Sequence, residues 1–131
     1  MHLVTVANMA SAIQNGSLAG LKSVYVKSSK LILSILKALK KDGYIEDYDA
    51  ASDRKYYARV YVKYDSHGVP VLRFIRLLSK PSRPTYADAG SFRTSEQFST
   101  LIVSTSSLGV VSHLDARRAG IGGMVLLEVA A

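Results

Sequence analysis

Apolar residues recur at helical spacing from the start of the chain. Leu3, Val6, Ala10 and Ile13 fall on one face, and Asn15-Gly16 supplies a stop, so a first helix ending there is expected. Val24-Tyr25-Val26 reads as a short strand. A second helical stripe follows in Ile32, Ile35, Leu36 and Leu39, with Ser28 or Ser29 placed to cap its first free N–H groups. Lys37, Lys40 and Lys41 gather in its last turn, where cations interact favourably with the helix dipole. Gly43 can close that helix in the left-handed conformation. The lysines are read first as a solvated helix end and only second as a polyanion contact.

Residues 56–64 switch to a period of two. Ala58, Val60, Val62 and Tyr64 share one face, and Tyr57, Arg59, Tyr61 and Lys63 share the other. Aromatics mixed with cations can stack single-stranded nucleic acid, but an outer sheet face with amphipathic tyrosines is commoner and is preferred. Asp65-Ser66-His67-Gly68 predicts a hairpin connection into a strand over 71–78. Residues 79–90 hold Pro81 and Pro84 among small residues and read as an interlobe linker. Beyond them the pattern predicts a strand over 101–105 and a short helix from Ser112, with Asp115 at the capping-box position. Gly120 should end that helix, and a strand over 125–129 should close the chain. The fold class is α/β (α+β). An N-terminal α/β lobe over 1–78 carries two helices and a small sheet, and a mostly β C-terminal lobe over 79–131 carries one short helix.

Composition narrows the function. Hydrophobic residues make up 48% of the 131, ordinary for a globular chain, and no apolar run approaches the ~20 residues that cross a bilayer. There is no cysteine, which excludes disulfides, zinc ribbons and thiol catalysis. His2, His67 and His113 lie far apart, without the spacing of a metal site, so no metal or other cofactor is expected. Met1-His2-Leu3-Val4 has neither a basic segment leading into an apolar run nor an arginine-rich presequence, so no cleavable leader is expected. The net charge of +7 is spread along the chain: ten Lys/Arg face six Asp/Glu in residues 1–65, and seven face four in 66–131. A basic protein with polyanionic partners is the simple interpretation.

Residues 104–123 are the most informative stretch. Ser104, Thr105 and Ser106 leave the apolar run Leu101-Ile102-Val103; Gly109, a short Ala-Arg segment and Gly122-Gly123 follow. Short hydroxyls both donate and accept hydrogen bonds, and glycine lets a backbone approach closely, which suits the wide minor groove of folded RNA. On composition alone a strand running into a Ser-rich turn explains the same residues. The order of parts, however, closely resembles the C-terminal signature of the universally distributed small-subunit ribosomal protein eight family. Ser28-Ser29-Lys30-Leu31 and the segment from Leu39 through Asp42-Gly43-Tyr44 to Tyr48 resemble that family's second helix and following strand. Asn15-Gly16 is similar to its first-helix ending, and Ser79-Lys80-Pro81 with Tyr86 to its mid-chain basic turn. These matches run in the family's order over essentially the whole chain.

Four places depart from the family's bacterial pattern. Ser11, Ala12, Ile13 and Gln14 stand where arginines usually precede Asn-Gly; Ser82 and Pro84 flank Arg83 in the basic turn. One residue is inserted between Ser106 and Gly109, and Met124 replaces the usual acid after Gly-Gly.

The resemblance implies a structural, non-enzymatic constituent of the small ribosomal subunit. Its partners would be the central domain of small-subunit rRNA and neighbouring small-subunit proteins, with no membrane and no small-molecule substrate. The expected RNA-binding residues are Ser29, Lys30, Lys80, Arg83, Tyr86, Ser104, Thr105, Ser106, Gly109, Gly122 and Gly123. The arginine-poor first helix and the run from Leu3 to Asn8 look more like mitochondrial members, so that compartment is favoured over a bacterial or plastid one. A translational repressor that recognises an mRNA mimic of the same RNA is the alternative binding module. A small phosphate-ester enzyme, using the hydroxyls with His113 and Asp115, is the alternative from another class. No catalytic residue is assigned, because a triad is defined by geometry and not by nearness in sequence. Gly120-Ile121-Gly122-Gly123 lacks the lysine of a phosphate-binding loop and precedes a strand, so a close backbone approach or a bulge is preferred.

Overall fold

Helix α1 (Leu3–Leu18) buries Leu3, Val6, Ala10 and Ile13 as its periodicity predicts, together with Met9. It does not stop at Asn15-Gly16. The helix closes at Gly20 (φ 72°), where the Gly20 N–H donates to the Ser17 carbonyl and the Leu21 N–H to the Gly16 carbonyl. Gly16 serves packing instead: a Cβ there would lie 2.4 Å from Val24 Cγ1, so its bare backbone lets the helix rest on strand β1 (Ser23–Lys27). The computed structural model describes residues 3–80 and 82–131; His2 and Pro81 lie outside the described residues.

Ser29 caps helix α2 (Lys30–Lys41), its Oγ accepting the Ile32 N–H at 3.1 Å. Ile32, Ile35, Leu36 and Leu39 are buried, as the stripe requires. Strands β1, β2 (Asp47–Ala50) and β3 (Tyr57–Tyr61) form an antiparallel sheet in the order β1-β3-β2. Ala58 and Val60 face inward while Tyr57, Arg59 and Tyr61 lie half-exposed. On that outer face the Tyr25 hydroxyl donates to Asp53 at 2.6 Å, and the Arg54 guanidinium sits 4.1 Å from the Tyr57 ring. Aromatics, cations and carboxylates there hold one another, the behaviour of an ordinary outer face.

The hairpin connection expected at Asp65–Gly68 forms only locally, with Tyr64 opposite Pro70 and the Val71 N–H donating to the Lys63 carbonyl at 3.0 Å. It does not extend into a pairing of β3 with the strand that follows. Both edges of β3 are already taken, by β1 and β2. Asp65 still builds a turn, its Oδ1 accepting the His67 and Val69 N–H groups at 2.8 and 2.9 Å. The chain then leaves for a second sheet. Strand β4 (Phe74–Leu77) pairs with strand β8 (Gly123–Ala130), Phe74 opposite Ala130. That sheet also holds β5 (Tyr86–Ala87), β6 (Thr100–Thr105) and β7 (Gly109–Ser112), in the order β4-β8-β6-β7 with β5 also on β8. Helix α3 (His113–Ala119) begins at Ser112, whose Oγ accepts the Asp115 N–H at 3.3 Å. The Asp115 carboxylate turns instead to Lys41 and Arg118, at 3.3 Å each, so only half of the capping box forms.

The sheets part between Tyr61 and Phe74, but the buried side chains do not. One apolar cluster joins Val6 and Ile13 of α1, Ile32 and Leu36 of α2 and Val60 of β3 to Ile102, Leu126, Leu127 and Val129 of the second sheet. Polar ties reinforce it: Gln14 Oε1 accepts the Ile75 N–H at 3.0 Å, and Lys41 of α2 meets Asp115 of α3. No described helix is long and apolar enough to cross a membrane.

A core shared in this way predicts cooperative loss. Leu127→Ala should cost about 2–5 kcal/mol in urea unfolding, the usual range for such a truncation. Hydrogen exchange of the variant should lose protection in the β1-β3-β2 sheet together with the β6 and β8 amides. Loss confined to the second sheet would mean that the halves unfold separately.

Candidate nucleic-acid interface

Residues 79–90 are not a free linker. The chain runs along β8 as β4, loops out, and rejoins the same strand as β5. The Leu78 N–H donates to the Leu126 carbonyl at 2.9 Å before the loop, and the Val125 N–H donates to the Thr85 carbonyl at 2.8 Å after it. Ser79 closes the neck. It is fully buried, its Oγ accepting the Thr85 N–H at 2.9 Å and donating to the Val125 carbonyl. Outside this neck the Arg83 N–H donates to the Lys80 carbonyl at 2.9 Å, which makes a tight turn with both side chains exposed. Among the described residues neither cation is in a salt bridge.

The three successive hydroxyls have three different environments. Ser104 is half-buried in β6, between Val110 of β7 and Met124 of β8. Thr105 is buried and closes the β6-β7 hairpin: its Oγ1 donates to the Gly109 carbonyl at 2.8 Å and accepts the Leu108 N–H at 3.0 Å. Ser106 stands exposed at the tip, with Ser107 beside it. Strand alternation causes the split, since neighbouring residues of a strand face opposite sides. The segment between Ser106 and Gly109, where the resemblance implies one extra residue, lies in this turn, which Thr105 holds closed. Gly109 takes φ 73° there.

Tyr86, Ser106, Gly122 and Gly123 line one cleft of about 920 Å³ on the second sheet, together with Asp88 and Arg93. Tyr86 is 71% exposed at its rim. Both glycines have an intramolecular reason to be glycine. A Cβ on Gly122 would lie 2.5 Å from the Ala87 carbonyl oxygen, and one on Gly123 2.3 Å from that of Ser104. They let β5 and β6 close tightly on β8, the close backbone approach preferred from sequence. Gly109 lies elsewhere, in a groove of about 310 Å³ shared with Lys37, Lys41 and Asp115. Ser29 and Lys30 line neither hollow; Ser29 is half-buried as a helix cap, and Lys30 is exposed at the first turn of α2. Among the expected residues the cleft therefore gathers four.

His113 is unavailable as the base of an esterase-like site. It is buried, its Nδ1 accepts the Leu101 N–H at 3.0 Å, and its ring meets Phe92 edge-on at 6.2 Å. Burial is the main force holding its pKa below the usual value, and the nearby Arg117 acts in the same direction. Among the described residues no three His, Asp or Glu side chains group as metal ligands.

The sequence reading missed Glu128, a buried carboxylate within the apolar strand β8. Its Oε2 accepts the Ser95 N–H at 2.7 Å and the Ser99 hydroxyl at 2.6 Å, and its Oε1 accepts the Ser95 hydroxyl at 2.7 Å. Burial opposes ionisation, but these hydrogen bonds outweigh it and hold the carboxyl below its usual range. A charge at an inward position of an apolar strand is the signal that could have found it. Asp88, Arg93 and Ser107 of the cleft carried no comparable signal.

Exposed hydroxyls, an aromatic rim and an exposed basic turn stand together on this α+β scaffold, and its sequence is that of a small-subunit ribosomal protein. The chain belongs to the ribosomal protein S8 family, whose family model matches residues 5–130. It is 38% identical over 125 residues to the small ribosomal subunit protein uS8 of Buchnera aphidicola, covering 95% of both chains. The uS8 protein of Campylobacter hominis is 38% identical over 119 residues, covering 89% of this chain and 90% of the relative. That of Salinibacter ruber is 33% identical over 125 residues, covering 95% and 94%. These relatives are bacterial and lend no support to a mitochondrial placement.

The buried imidazole makes stability depend on pH. Its folded pKa lies below the unfolded reference of 6.5, so its share of stability is complete above that value. As pH falls through 6.5 the unfolded chain binds the proton first and that share is lost. Urea midpoints should therefore drop between about pH 7.5 and about pH 5.5. His113→Asn, whose Oδ1 can accept the Leu101 N–H, should flatten the slope; an unchanged slope would assign the titration elsewhere.

Proposed function

We propose that this chain is a structural constituent of the small ribosomal subunit that binds the central domain of small-subunit rRNA and supports its folding and assembly. The observation that carries the reading is the cleft shared by Tyr86, Ser106, Gly122 and Gly123, in a chain belonging to the ribosomal protein S8 family. Ser106 offers a donor and an acceptor to ribose hydroxyls and base edges in a wide minor groove, and Tyr86 offers a ring face. Lys80 and Arg83 neutralise phosphates and set register without reading sequence. Lys30, beside the Ser29 cap and the free N–H groups of α2, adds a second phosphate contact. Ser104 and Thr105 act through the strand and its turn, which hold Ser106 in place. Gly122 and Gly123 shape the cleft by letting β5 and β6 close on β8, and Gly109 leaves the backbone of the β6-β7 turn bare for RNA to approach. Contacts made only to the folded RNA shift its equilibrium toward that fold, which is how such a protein aids assembly. Neighbouring small-subunit proteins complete its surroundings. A mitochondrial location rests only on the N-terminal run and the arginine-poor first helix, and the genome that encodes the chain tests it directly.

Binding to a central-domain transcript across salt concentrations tests the electrostatic part. Affinity should fall steeply as salt rises, and Lys80→Ala with Arg83→Ala should lower the slope of log affinity against log salt by about 2 or less. The pair should weaken specific and nonspecific RNA alike; lost discrimination with intact nonspecific binding would overturn the anchoring role.

The hydroxyls separate recognition from architecture. Ser106→Ala should weaken specific binding by about two- to tenfold, the worth of one hydrogen bond at ~0.5–1.5 kcal/mol, with the salt slope and melting temperature unchanged. Thr105→Ala should lower the melting temperature, because it releases the Gly109 carbonyl and the Leu108 N–H at the turn. Wild-type affinity in a folded Ser106→Ala variant would remove that hydroxyl from the mechanism.

A further inference from the structure

Residues 88–99 form neither helix nor strand, yet they make one wall of the cleft, with Asp88, Ser91, Phe92 and Arg93 in its lining. This wall is pinned at two places. Phe92 is buried, meets the His113 ring edge-on, and its carbonyl accepts an N–H of Arg117 at 3.1 Å. Ser95 and Ser99 form the second pin, both held by the Glu128 carboxylate through three hydrogen bonds. Glu128 is 2% exposed on β8, so the wall is tied to the buried central strand of the sheet. Arg73 also pairs with Glu96, but that pair faces water, where an ion pair contributes little.

Arg93 lies between the two pins, two residues from Ser95 and so within about 7 Å of it along the chain. It is exposed at the cleft, and among the described residues it is in no salt bridge, not even with Asp88 of the same lining. Lys80 and Arg83 stand on an outlying turn, where they add charge. Arg93 differs in being held: a planar fork of donors in a fixed place can take two oxygens at once. A wall ordered before RNA arrives also loses less freedom on binding. Glu128 itself is buried and carries the wrong sign to attract RNA, so whatever it contributes to binding comes through geometry.

We propose that Arg93 is a further RNA contact, a guanidinium fork on phosphate oxygens at the cleft, and that Glu128 is its positioning residue, acting through Ser95 and Ser99. The proposal rests on the RNA-binding reading above. Charge separates it from a merely stabilising role. Glu128→Gln keeps the shape, but its amide NH2 donates and does not accept, so it meets the Ser95 and Ser99 donors without a bond to offer. The same change removes a negative charge, and charge alone predicts equal or tighter binding to any RNA. The expected result on the central-domain transcript is the reverse, affinity weaker by about threefold or more, the scale of one lost hydrogen bond. Affinity for an unrelated duplex RNA should stay equal or rise.

Arg93→Ala supplies the second arm. It should weaken binding to the central-domain transcript by about tenfold, as when a charged hydrogen-bonding group is lost, and binding to the duplex by much less. Combining both substitutions should leave affinity within about twofold of Arg93→Ala alone, because Glu128 acts through Arg93. Unchanged affinity in either single variant, an equal loss on the duplex, or additive losses in the double variant would overturn the proposal. Should Glu128→Gln not fold, Glu128→Leu with Ser95→Ala and Ser99→Ala removes the same brace without leaving a buried side chain unpaired, and it should show the same pattern. A wild-type chain that does not prefer the central-domain transcript over the duplex would sink the RNA-binding reading itself, and this proposal with it.

Discussion

Strand β8 shares its backbone with three other strands: β6 lies along one edge, and β4 followed by β5 along the other. All but the first of its residues are buried. One side of the sheet packs Leu127 and Val129 against the helices, and Val125 belongs to a smaller cluster with Phe92, Leu101, Val103 and Ala116. A strand buried on both faces and paired on both edges tolerates little change in shape. That is why Gly122 and Gly123 are needed where β5 and β6 draw close, and why a one-residue irregularity between Ile102 and Val103 resets the register before Met124. It also explains how Glu128 is tolerated: a buried carboxylate must have its oxygens satisfied, and Ser95 and Ser99 satisfy them.

The candidate RNA surface inherits its geometry from that strand. The turn carrying Lys80 and Arg83 is an excursion from the β8 edge, and Ser79 ties its two ends to Val125 and Thr85. The hairpin carrying Ser106 extends β6, the strand on the other edge. Cations and hydroxyls some 25 positions apart in the sequence are thus positioned by the same eight residues. Rigid placement matters for recognising folded RNA, because hydroxyl contacts are short and directional whereas phosphate contacts tolerate adjustment.

Several residues that the sequence marks as ligand contacts serve packing in the fold. Ser29 caps α2, Thr105 closes a turn, and Gly122 and Gly123 admit neighbouring strands. Their intramolecular duties place the exposed groups, Lys30, Ser106 and Tyr86, beside them. The departures from the family pattern also have structural homes. Met124 is buried in the main core rather than presenting an acid, and Gln14 satisfies a backbone N–H at the edge of β4.

Local chemistry written into the sequence determined the helices, the Ser29 and Ser112 caps, the alternating faces of β3 and the α+β class, because spacing and capping act within a few residues. The order of motifs was equally legible and carried the family. Competition between distant segments decided the rest. Asn15-Gly16 reads as a helix stop, yet contact with Val24 keeps Gly16 inside α1. The segment after Asp65 reads as a hairpin partner for β3, but β1 and β2 had filled that strand's edges. Residues 79–90 read as a linker, while hydrogen bonds to β8 stitch them into a sheet. Three adjacent hydroxyls read as one binding loop, and only the pairing of β6 reveals that one borders the core, one seals a turn and one meets solvent. Strand edges are satisfied by whichever segment arrives with matching shape, and that choice is made in three dimensions, beyond the reach of local pattern.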